Sequence, residues 1–348
     1  MTQRPAICPP TTSRQRSRGF GIVELMIAMA LGLFLVGGAI SVFVTNQQAY
    51  RTTEQLSRMQ ESGRTSVELM ARQVREAGGS PCGRNMPTAN VINNPSTYWW
   101  ANWSDGIRGY DNNVAADGVA FGTAAGQRIA GTDAVFLLFG NANSGVRIAS
   151  HNPSSAQFKV NTDDHALFDG EIVMVCNYEQ AAILQVTNAS STNTTVVHNS
   201  GTGTPGNCTK ALGAPVVCDN TPGASWYEFK DGFMMRLSSE IWYIGANSRG
   251  GRSLYRARLV VPEDTGIPGT VREEIAEGVT NLQMTYLQPD ATGALPTDYV
   301  DATAVTAWSD VSAVRITLTL QSLQNVGTDG APLQRQMTYV ASLRNRLP

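Results

Sequence analysis

Charged side chains are scarce in this sequence. Asp, Glu, Lys and Arg make up 16% of its 348 residues, histidine occurs three times, and the formal net charge is −2. Four of the 26 basic residues fall within the first 19 positions, which leaves 22 basic against 28 acidic residues in the remainder. Because a nucleic-acid-binding domain presents a basic patch, this balance gives no reason to expect nucleic acid as a partner.

Signatures of common catalytic and metal sites are absent as well. The sequence has no G-x-S-x-G nucleophile elbow and no C-x-x-C pair, which are patterns of hydrolases and of zinc or redox sites. The histidines His151, His165 and His198 stand in polar, loop-like contexts, and the cluster of Asp163, Asp164 and His165 is typical of a solvated turn. We therefore expect no enzymatic activity, no metal and no cofactor; an enzyme tethered by a membrane anchor is the alternative.

One long apolar run contrasts with this polar composition. A basic leader precedes the 25 residues from Phe20 to Val44, whose one charge is Glu24. A secretory signal peptide has an apolar region of about 7–15 residues, whereas a membrane helix needs about 20, so the run predicts a membrane anchor with its leader in the cytoplasm. A plain anchor leaves Glu24 unexplained, since an acidic residue at the bilayer centre costs about 2.5–3.5 kcal/mol.

The start of the run resembles a known processing site. The sequence RGFGIVE at 18–24 is similar to the cleavage site of type IV prepilins and type II secretion pseudopilins. The resemblance implies that a prepilin peptidase removes the leader, residues 1–19, by cutting between Gly19 and Phe20, and that Phe20 is then N-methylated. It also implies a role for Glu24 in assembly, where the N-terminal amine of a neighbouring subunit pairs with its carboxylate and offsets the penalty of burying it.

The hydrophobic pattern predicts one helix from about residue 20 to residue 77. Residues 20–44 are apolar on all faces and form the transmembrane or fibre-core segment, and residues 45–79 continue as an amphipathic helix. In the second segment an apolar or small residue recurs every three or four positions, as on one face of a helix. These residues are Leu56, Met59, Gly63, Val67, Met70, Val74 and Ala77. Gly78, Gly79 and Pro81 end the pattern.

Beyond residue 79 the sequence predicts β-structure. A loop-rich β insert is expected over 80–230 and a C-terminal β-sheet region over 231–348, together forming the globular domain. The predicted strands are 134–139, 171–176, 182–187, 240–244, 253–261, 279–287, 311–321 and 334–343. The fold class is therefore α+β, with a long N-terminal helix packed on a C-terminal antiparallel β-domain with long loops, the architecture that the resemblance to pilins implies.

An aromatic cluster lies in the insert. Tyr98, Trp99, Trp100 and Trp103 fall in a Gly- and Asn-rich stretch. Such a cluster on a loop is a candidate surface for a ligand or a partner subunit. The alternative interpretation is that it closes a small local core.

Four cysteines follow the predicted leader. Cys82, Cys176, Cys208 and Cys218 are an even set with no metal-ligand spacing, which fits two disulfides in an oxidising compartment; four unpaired buried thiols are the alternative. Four cysteines allow three connectivities. Nine residues separate Cys208 and Cys218 in a polar stretch, so we favour that pair together with Cys82–Cys176.

The C-terminal third narrows the resemblance. The segments 274–283 (EIAEGVTNLQ), 304–308 (AVTAW), 311–316 (VSAVRI) and 343–348 (LRNRLP) together resemble the minor pilins of the PilW type and, less closely, the J-class minor pseudopilins of type II secretion. The resemblance implies a structural subunit in the tip or priming complex of a type IV pilus. A minor pseudopilin, or a tip adhesin acting through the 80–230 insert, are the alternatives.

The same resemblance implies partners and a location. The partners are other minor pilins, the major pilin, the prepilin peptidase and the inner-membrane assembly platform. The protein is expected first in the bacterial inner membrane as a single-pass protein with a periplasmic C-terminal domain, and afterwards in the extracellular pilus, at its tip.

Overall fold

The structure is a computed structural model. It describes residues 19, 21–80, 82–83, 86–102, 105–141, 145–221, 225–290, 293–294 and 296–346. The chain divides into two compact units, one up to Glu54 and the other from Gln55 onward.

A single helix, α1, spans Ile22–Glu76 and contributes to both units. Its bounds lie within two residues of the helix predicted over 20–77. It ends where Gly78 adopts φ 66°, a left-handed conformation that favours glycine. The amide of Gly78 then donates to the Leu138 carbonyl at 2.8 Å, which fixes the end of the helix to the β-domain.

Fourteen strands follow the helix among the described residues of the second unit. In chain order they are β1 (Thr88–Asn90), β2 (Ile107–Tyr110), β3 (Ala134–Asn141), β4 (Ile148–Asn152), β5 (Gln157–Val160), β6 (Ile172–Cys176), β7 (Ala181–Gln185), β8 (Thr195–Val197), β9 (Phe233–Ala246), β10 (Arg252–Val260), β11 (Gly269–Glu277), β12 (Val279–Leu287), β13 (Ala313–Gln321) and β14 (Gln334–Ser342). The eight predicted strands correspond to β3, β6, β7, β9, β10, β12, β13 and β14. The α+β class is confirmed.

The largest sheet has eight strands. Its main path is β1-β7-β6-β9-β10-β11, and β3 pairs with both β9 and β2. The pairs are antiparallel apart from β1 with β7. The long strand β9 pairs with β10, with β3 and with β6, so the sheet takes strands from both the predicted insert and the C-terminal region.

Two smaller antiparallel sheets accompany it. One has the order β12-β13-β14 and the other the order β4-β5-β8. In β13 the residues Val314, Ile316 and Leu318 are buried while Arg315 is exposed and Thr317 is half-buried. This is the one-face-in, one-face-out alternation of a strand with one covered face.

The helix and the sheets enclose the main hydrophobic core. The C-terminal half of α1 contributes Met59, Val67, Met70 and Val74, which pack together with Trp242 of β9 and with buried residues of β12, β13 and β14. This is the apolar face predicted from the sequence. A second cluster covers the opposite side of β3 and β9, and a third surrounds β4, β5 and β8.

Candidate processing and assembly site

The residues predicted for processing precede α1, and Glu24 lies at its start. The first hydrogen bond of the helix runs from the Leu25 amide to the Gly21 carbonyl at 3.1 Å. Gly19 is exposed, and Phe20 lies outside the described residues. Glu24 lies in the first turn, where a carboxylate interacts favourably with the positive end of the helix dipole. It forms no ion pair with any other described residue.

The helix that follows presents apolar side chains on every side. Of the described residues, Ile22–Glu76 is the one helix long and apolar enough to cross a membrane, and its most apolar window buries no residue within the protein. Large side chains such as Leu33, Phe34 and Leu35 are more than 70% exposed. A surface this apolar needs a bilayer or neighbouring helices to cover it.

Three glycines interrupt the large side chains of this segment. A Cβ atom added at Gly32, Gly37 or Gly38 would have no neighbouring atom within 4 Å. The glycines are therefore not required by packing within the subunit. They leave shallow positions at which another helix can approach closely.

The C-terminal half of α1 is seated firmly in its own unit. A Cβ atom at Gly63 would lie 2.5 Å from the Met337 sulfur and 3.0 Å from the Leu320 Cδ1 atom, so the helix passes close to β13 and β14 at this glycine. Farther along, Trp242 Nε1 donates to Gln73 Oε1 at 2.5 Å, and Arg75 Nη2 donates to the Tyr339 hydroxyl at 2.5 Å.

The predicted aromatic cluster belongs mostly to the core. Trp100 is buried in the second hydrophobic cluster, and its ring centroid lies 5.0 Å from that of Tyr98. Trp99 is half-buried, donates from Nε1 to Thr270 Oγ1 at 2.8 Å and packs edge-on against Phe136. Trp103 lies outside the described residues. The three described rings thus close a local core, the alternative that the sequence left open, and a ligand surface there stays a prediction.

Two disulfide bonds are present. Cys82 pairs with Cys176 across 94 residues, and Cys208 pairs with Cys218 across 10 residues. The connectivity favoured from the sequence is confirmed. The first bond joins the segment after α1 to β6, and the second closes the polar loop that follows β8.

A buried arginine holds the segment between β2 and β3, and sequence analysis did not single it out. Arg128 is fully buried and donates to the carbonyls of Tyr110, Val114 and Thr132 at 3.0, 2.8 and 2.5 Å. Burial lowers its pKa to about 10. A fourth carbonyl, that of Asn112, lies at 3.4 Å. These carbonyl partners explain why the cation is tolerated here, since a buried charge needs hydrogen-bond partners.

Two aspartates join the same segment to the C-terminal region. Asp133 accepts from the amides of Asn112 and Met284 at 2.9 and 2.7 Å, and burial raises its pKa. Asp111 accepts from the amides of Ala302 and Thr303 at 2.9 and 2.7 Å. Asp133 thereby attaches the segment to β12, and Asp111 attaches it to the loop before β13. No local pattern marks these aspartates, because their partners in the C-terminal region lie more than a hundred residues away.

The prediction of a solvated turn over Asp163, Asp164 and His165 was wrong for the histidine, although both aspartates are exposed. His151, His165 and His198 are all buried, with 3%, 1% and 0% of their surface exposed. His165 accepts from the Leu167 amide and lies in hydrogen-bonding contact with the Asn193 carbonyl. The polar sequence around the histidines gave no sign of their contacts with distant residues, those of His165 with Asn193 and of His151 with His198. With no cluster of three or more His, Cys, Asp or Glu among the described residues, none of them is part of a recognisable metal site there.

These features define a class of protein. A long apolar N-terminal helix, whose C-terminal half packs on an antiparallel β-domain, is a pilin-like architecture, and the exposed apolar segment with Glu24 in its first turn is its candidate assembly surface.

The comparisons with known proteins identify the class more closely. Residues 241–344 match the family model of type IV pilus-assembly protein W, and residues 14–40 match that of the prokaryotic N-terminal methylation motif. Both matches confirm the resemblance to minor pilins of the PilW type. The segment between residues 40 and 241 lies outside both. No curated protein and no solved structure matches the chain.

Proposed function

We propose that this protein is a minor pilin, a structural subunit of a type IV pilus that acts in the tip or priming complex which initiates assembly. The observation that carries the proposal is the apolar segment from Ile22 to Val44. Its most apolar window buries no residue within the protein, and most of the segment lies inside the match to the prokaryotic N-terminal methylation motif, residues 14–40. Such a segment needs a bilayer before assembly and other helices afterwards.

The processing step gives Glu24 its partner. Cleavage between Gly19 and Phe20 would create a new N-terminal amine at Phe20, and methylation keeps that amine basic. In the packed fibre the amine of an adjacent subunit would lie against Glu24. The pair offsets the desolvation of both charges and fixes the axial register between neighbouring helices, because each carboxylate meets an amine at one position only.

The size of the subunit supports a place at the tip. Without the leader, 329 residues remain, which the resemblance implies is well above the size of a major pilin. The described β-domain carries three sheets on a single helix, and a bulky domain is difficult to repeat along a fibre. At the tip its far side meets no further subunit.

The partners and location follow from the same proposal. Other minor pilins, the major pilin, the prepilin peptidase and the inner-membrane assembly platform would contact the chain in turn. Before assembly it would span the inner membrane once, with residues 45–348 in the periplasm, where the two disulfides can form.

A deletion strain tests the function. Removing the gene should sharply reduce the number of surface pili, and a plasmid copy should restore them. A minor pseudopilin would share the processing site, so the same strain should be assayed for type II secretion. Normal piliation combined with lost secretion would replace the pilus assignment by the pseudopilin.

A further inference from the structure

The strand β14 forms a long open edge. It pairs with β13 in an unbroken register from Ala313–Ser342 to Gln321–Gln334. No other described strand pairs with it.

The direction of its main-chain groups can be worked out from the two ends of this pairing. The Ser322 amide donates to the Leu333 carbonyl, and the Leu343 amide donates to the Ser312 carbonyl, each at 2.9 Å. In an antiparallel pair, hydrogen-bonded positions alternate along the strand. The odd-numbered residues of β14 therefore face β13. The even-numbered residues point their N–H and C=O groups away from the sheet: Gln334, Gln336, Thr338, Val340 and Ser342.

Among the described residues, this edge has little of the protection that edge strands normally carry. Proteins block open edges with proline, charge, bulges or covering loops. The described strand β14 has no proline and no register shift, and its one charge is Arg335. Tyr339 and Val340 are 37% and 47% exposed, so apolar surface accompanies the unpaired main chain.

Two other edge strands, β11 and β12, are protected. The strand β11 has the sequence GTVREEIAE and a register shift opposite Leu254 and Tyr255. The strand β12 also has a register shift, and its outer side is occupied by Asp133, whose amide donates to the Leu282 carbonyl. Compared with β11 and β12, β14 has an unbroken register and only one charged residue, which are properties of an edge that can pair with another strand.

We propose that the edge of β14 receives an extended segment of another pilus subunit, which adds to the β12-β13-β14 sheet as a fourth strand. The geometry of the edge rests on the structure, and the identity of the partner as a pilus subunit rests on the proposed function. Main-chain hydrogen bonds to the even-numbered residues hold the segment, and side chains opposite the odd-numbered residues select it.

The side chains of β14 specify the chemistry of the partner. Arg335 is exposed and forms no ion pair with a described residue. Residues at non-hydrogen-bonded positions lie closest across a strand pair, with Cα atoms about 4.5 Å apart. The segment should therefore carry a carboxylate opposite Arg335 and apolar side chains opposite Met337 and Tyr339, which lie on the α1 side of the sheet.

Amide-resolved hydrogen exchange tests the edge directly. The full chain is measured in detergent, alone and in the complex that it forms with the other pilus subunits of the same cell. Alone, the outward amides of Gln336, Thr338 and Val340 should exchange far faster than those of Met337 and Tyr339. In the complex, exchange of the three outward amides should slow by at least about tenfold.

Each other result overturns a stated part. If the three outward amides exchange in the complex as they do in the isolated chain, the proposal that β14 binds a partner strand is wrong, while the proposed function stands. Slow exchange of these amides in the isolated chain would also contradict the proposed strand pairing, because the β14 edge would already be covered. If no complex forms, both the edge inference and the proposed function fail.

A proline substitution provides the test in cells. Thr338→Pro removes an outward N–H on which the fold does not depend, because proline is tolerated on edge strands. Its incorporation into pili should fall on the order of tenfold. The matched variant Thr338→Ala keeps the N–H and should be incorporated normally. Normal incorporation of Thr338→Pro would overturn the proposal.

Discussion

The imidazole Nε2 atoms of His151 and His198 lie 3.0 Å apart inside the third hydrophobic cluster. Because His151 Nδ1 accepts a hydrogen bond from the Phe229 amide, the neutral His151 ring carries its hydrogen on Nε2. This N–H group donates a hydrogen bond to Nε2 of His198. The rings also contact Phe158, with centroids 4.1 and 4.8 Å away. Burial lowers the pKa of His151 to about 3 and that of His198 well below its usual value.

This pair makes the folded protein sensitive to acid. Both histidines stay neutral in the folded state, but in the unfolded state they bind protons below a pKa of about 6.5. Protonation therefore favours the unfolded state, and the stability of the folded protein falls as the pH drops below about 6.5. Between pH 7.5 and pH 5.0 the loss is about 2 kcal/mol for each histidine. Urea unfolding of the full chain in detergent at the two pH values measures it.

A variant separates this effect from other titrating groups. Burial raises the pKa of Glu171 to about 7, which acts in the opposite direction because it favours the folded state as the pH falls. The free energy of unfolding is therefore measured at both pH values for the wild type and for His151→Phe. It should depend less steeply on pH in the variant than in the wild type. Equal slopes for the two proteins would show that the buried pair does not titrate as described.

Replacing a glycine in β2 by any larger residue should destabilise the fold. A Cβ atom at Gly109 would lie 2.2 Å from the Tyr286 hydroxyl oxygen and 2.8 Å from the Ala302 Cβ atom. Gly109→Ala should lower the free energy of unfolding by about 1–3 kcal/mol through overpacking. In Gly269→Ala the nearest atom would lie 4.0 Å away, and that variant should be nearly neutral. Denaturant titration of both variants makes the comparison, and equal losses would refute the packing argument.

The two disulfides should contribute unequally. Cys82–Cys176 closes a loop with a sequence separation of 94, against 10 for Cys208–Cys218. In the chain-entropy description, this difference corresponds to about 2 kcal/mol of stability. Replacing the first pair by serine should therefore lower the unfolding midpoint more than replacing the second. A larger loss for the Cys208–Cys218 pair would contradict the entropic account.

Removing the charge of Glu24 should prevent normal assembly. Glu24→Gln keeps the size of the side chain but cannot pair with an N-terminal amine. We expect incorporation into pili to fall by tenfold or more, because an amine buried without its partner is strongly penalised. Glu61, which is exposed on the same helix, supplies the control, and Glu61→Gln should be incorporated normally. Immunoblots of sheared pili measure both, and equal incorporation would remove the assigned role of Glu24.

Local sequence patterns predicted the elements of this fold but not their partners. The helix and β13 were visible because their apolar residues recur with the period of the element. The strand β11 was missed because its sequence GTVREEIAE has the charge of an exposed loop. In the structure these charged residues form ion pairs with the neighbouring strand β10, where Arg256 Nη2 donates to Glu273 Oε2 at 2.7 Å.

The candidate site was partly predictable for the same reason. Gly19, Phe20 and Glu24 lie in one short segment, so a local motif reveals them. The histidine pair and Asp133 depend on contacts between distant parts of the chain: His151 and His198 are 47 residues apart, and Asp133 meets Met284 across 151 residues. Nothing in the neighbouring sequence records such a contact.

The central claim is that the chain is processed and assembled as a pilin, and its N-terminus tests this most directly. The mass of the N-terminal peptide should be measured on protein from membranes of cells with and without the prepilin peptidase. The account predicts a chain beginning at N-methylated Phe20 when the peptidase is present and an uncut leader when it is absent. A chain that keeps residues 1–19 in both strains would contradict it and leave residues 80–348 as an anchored domain of another kind.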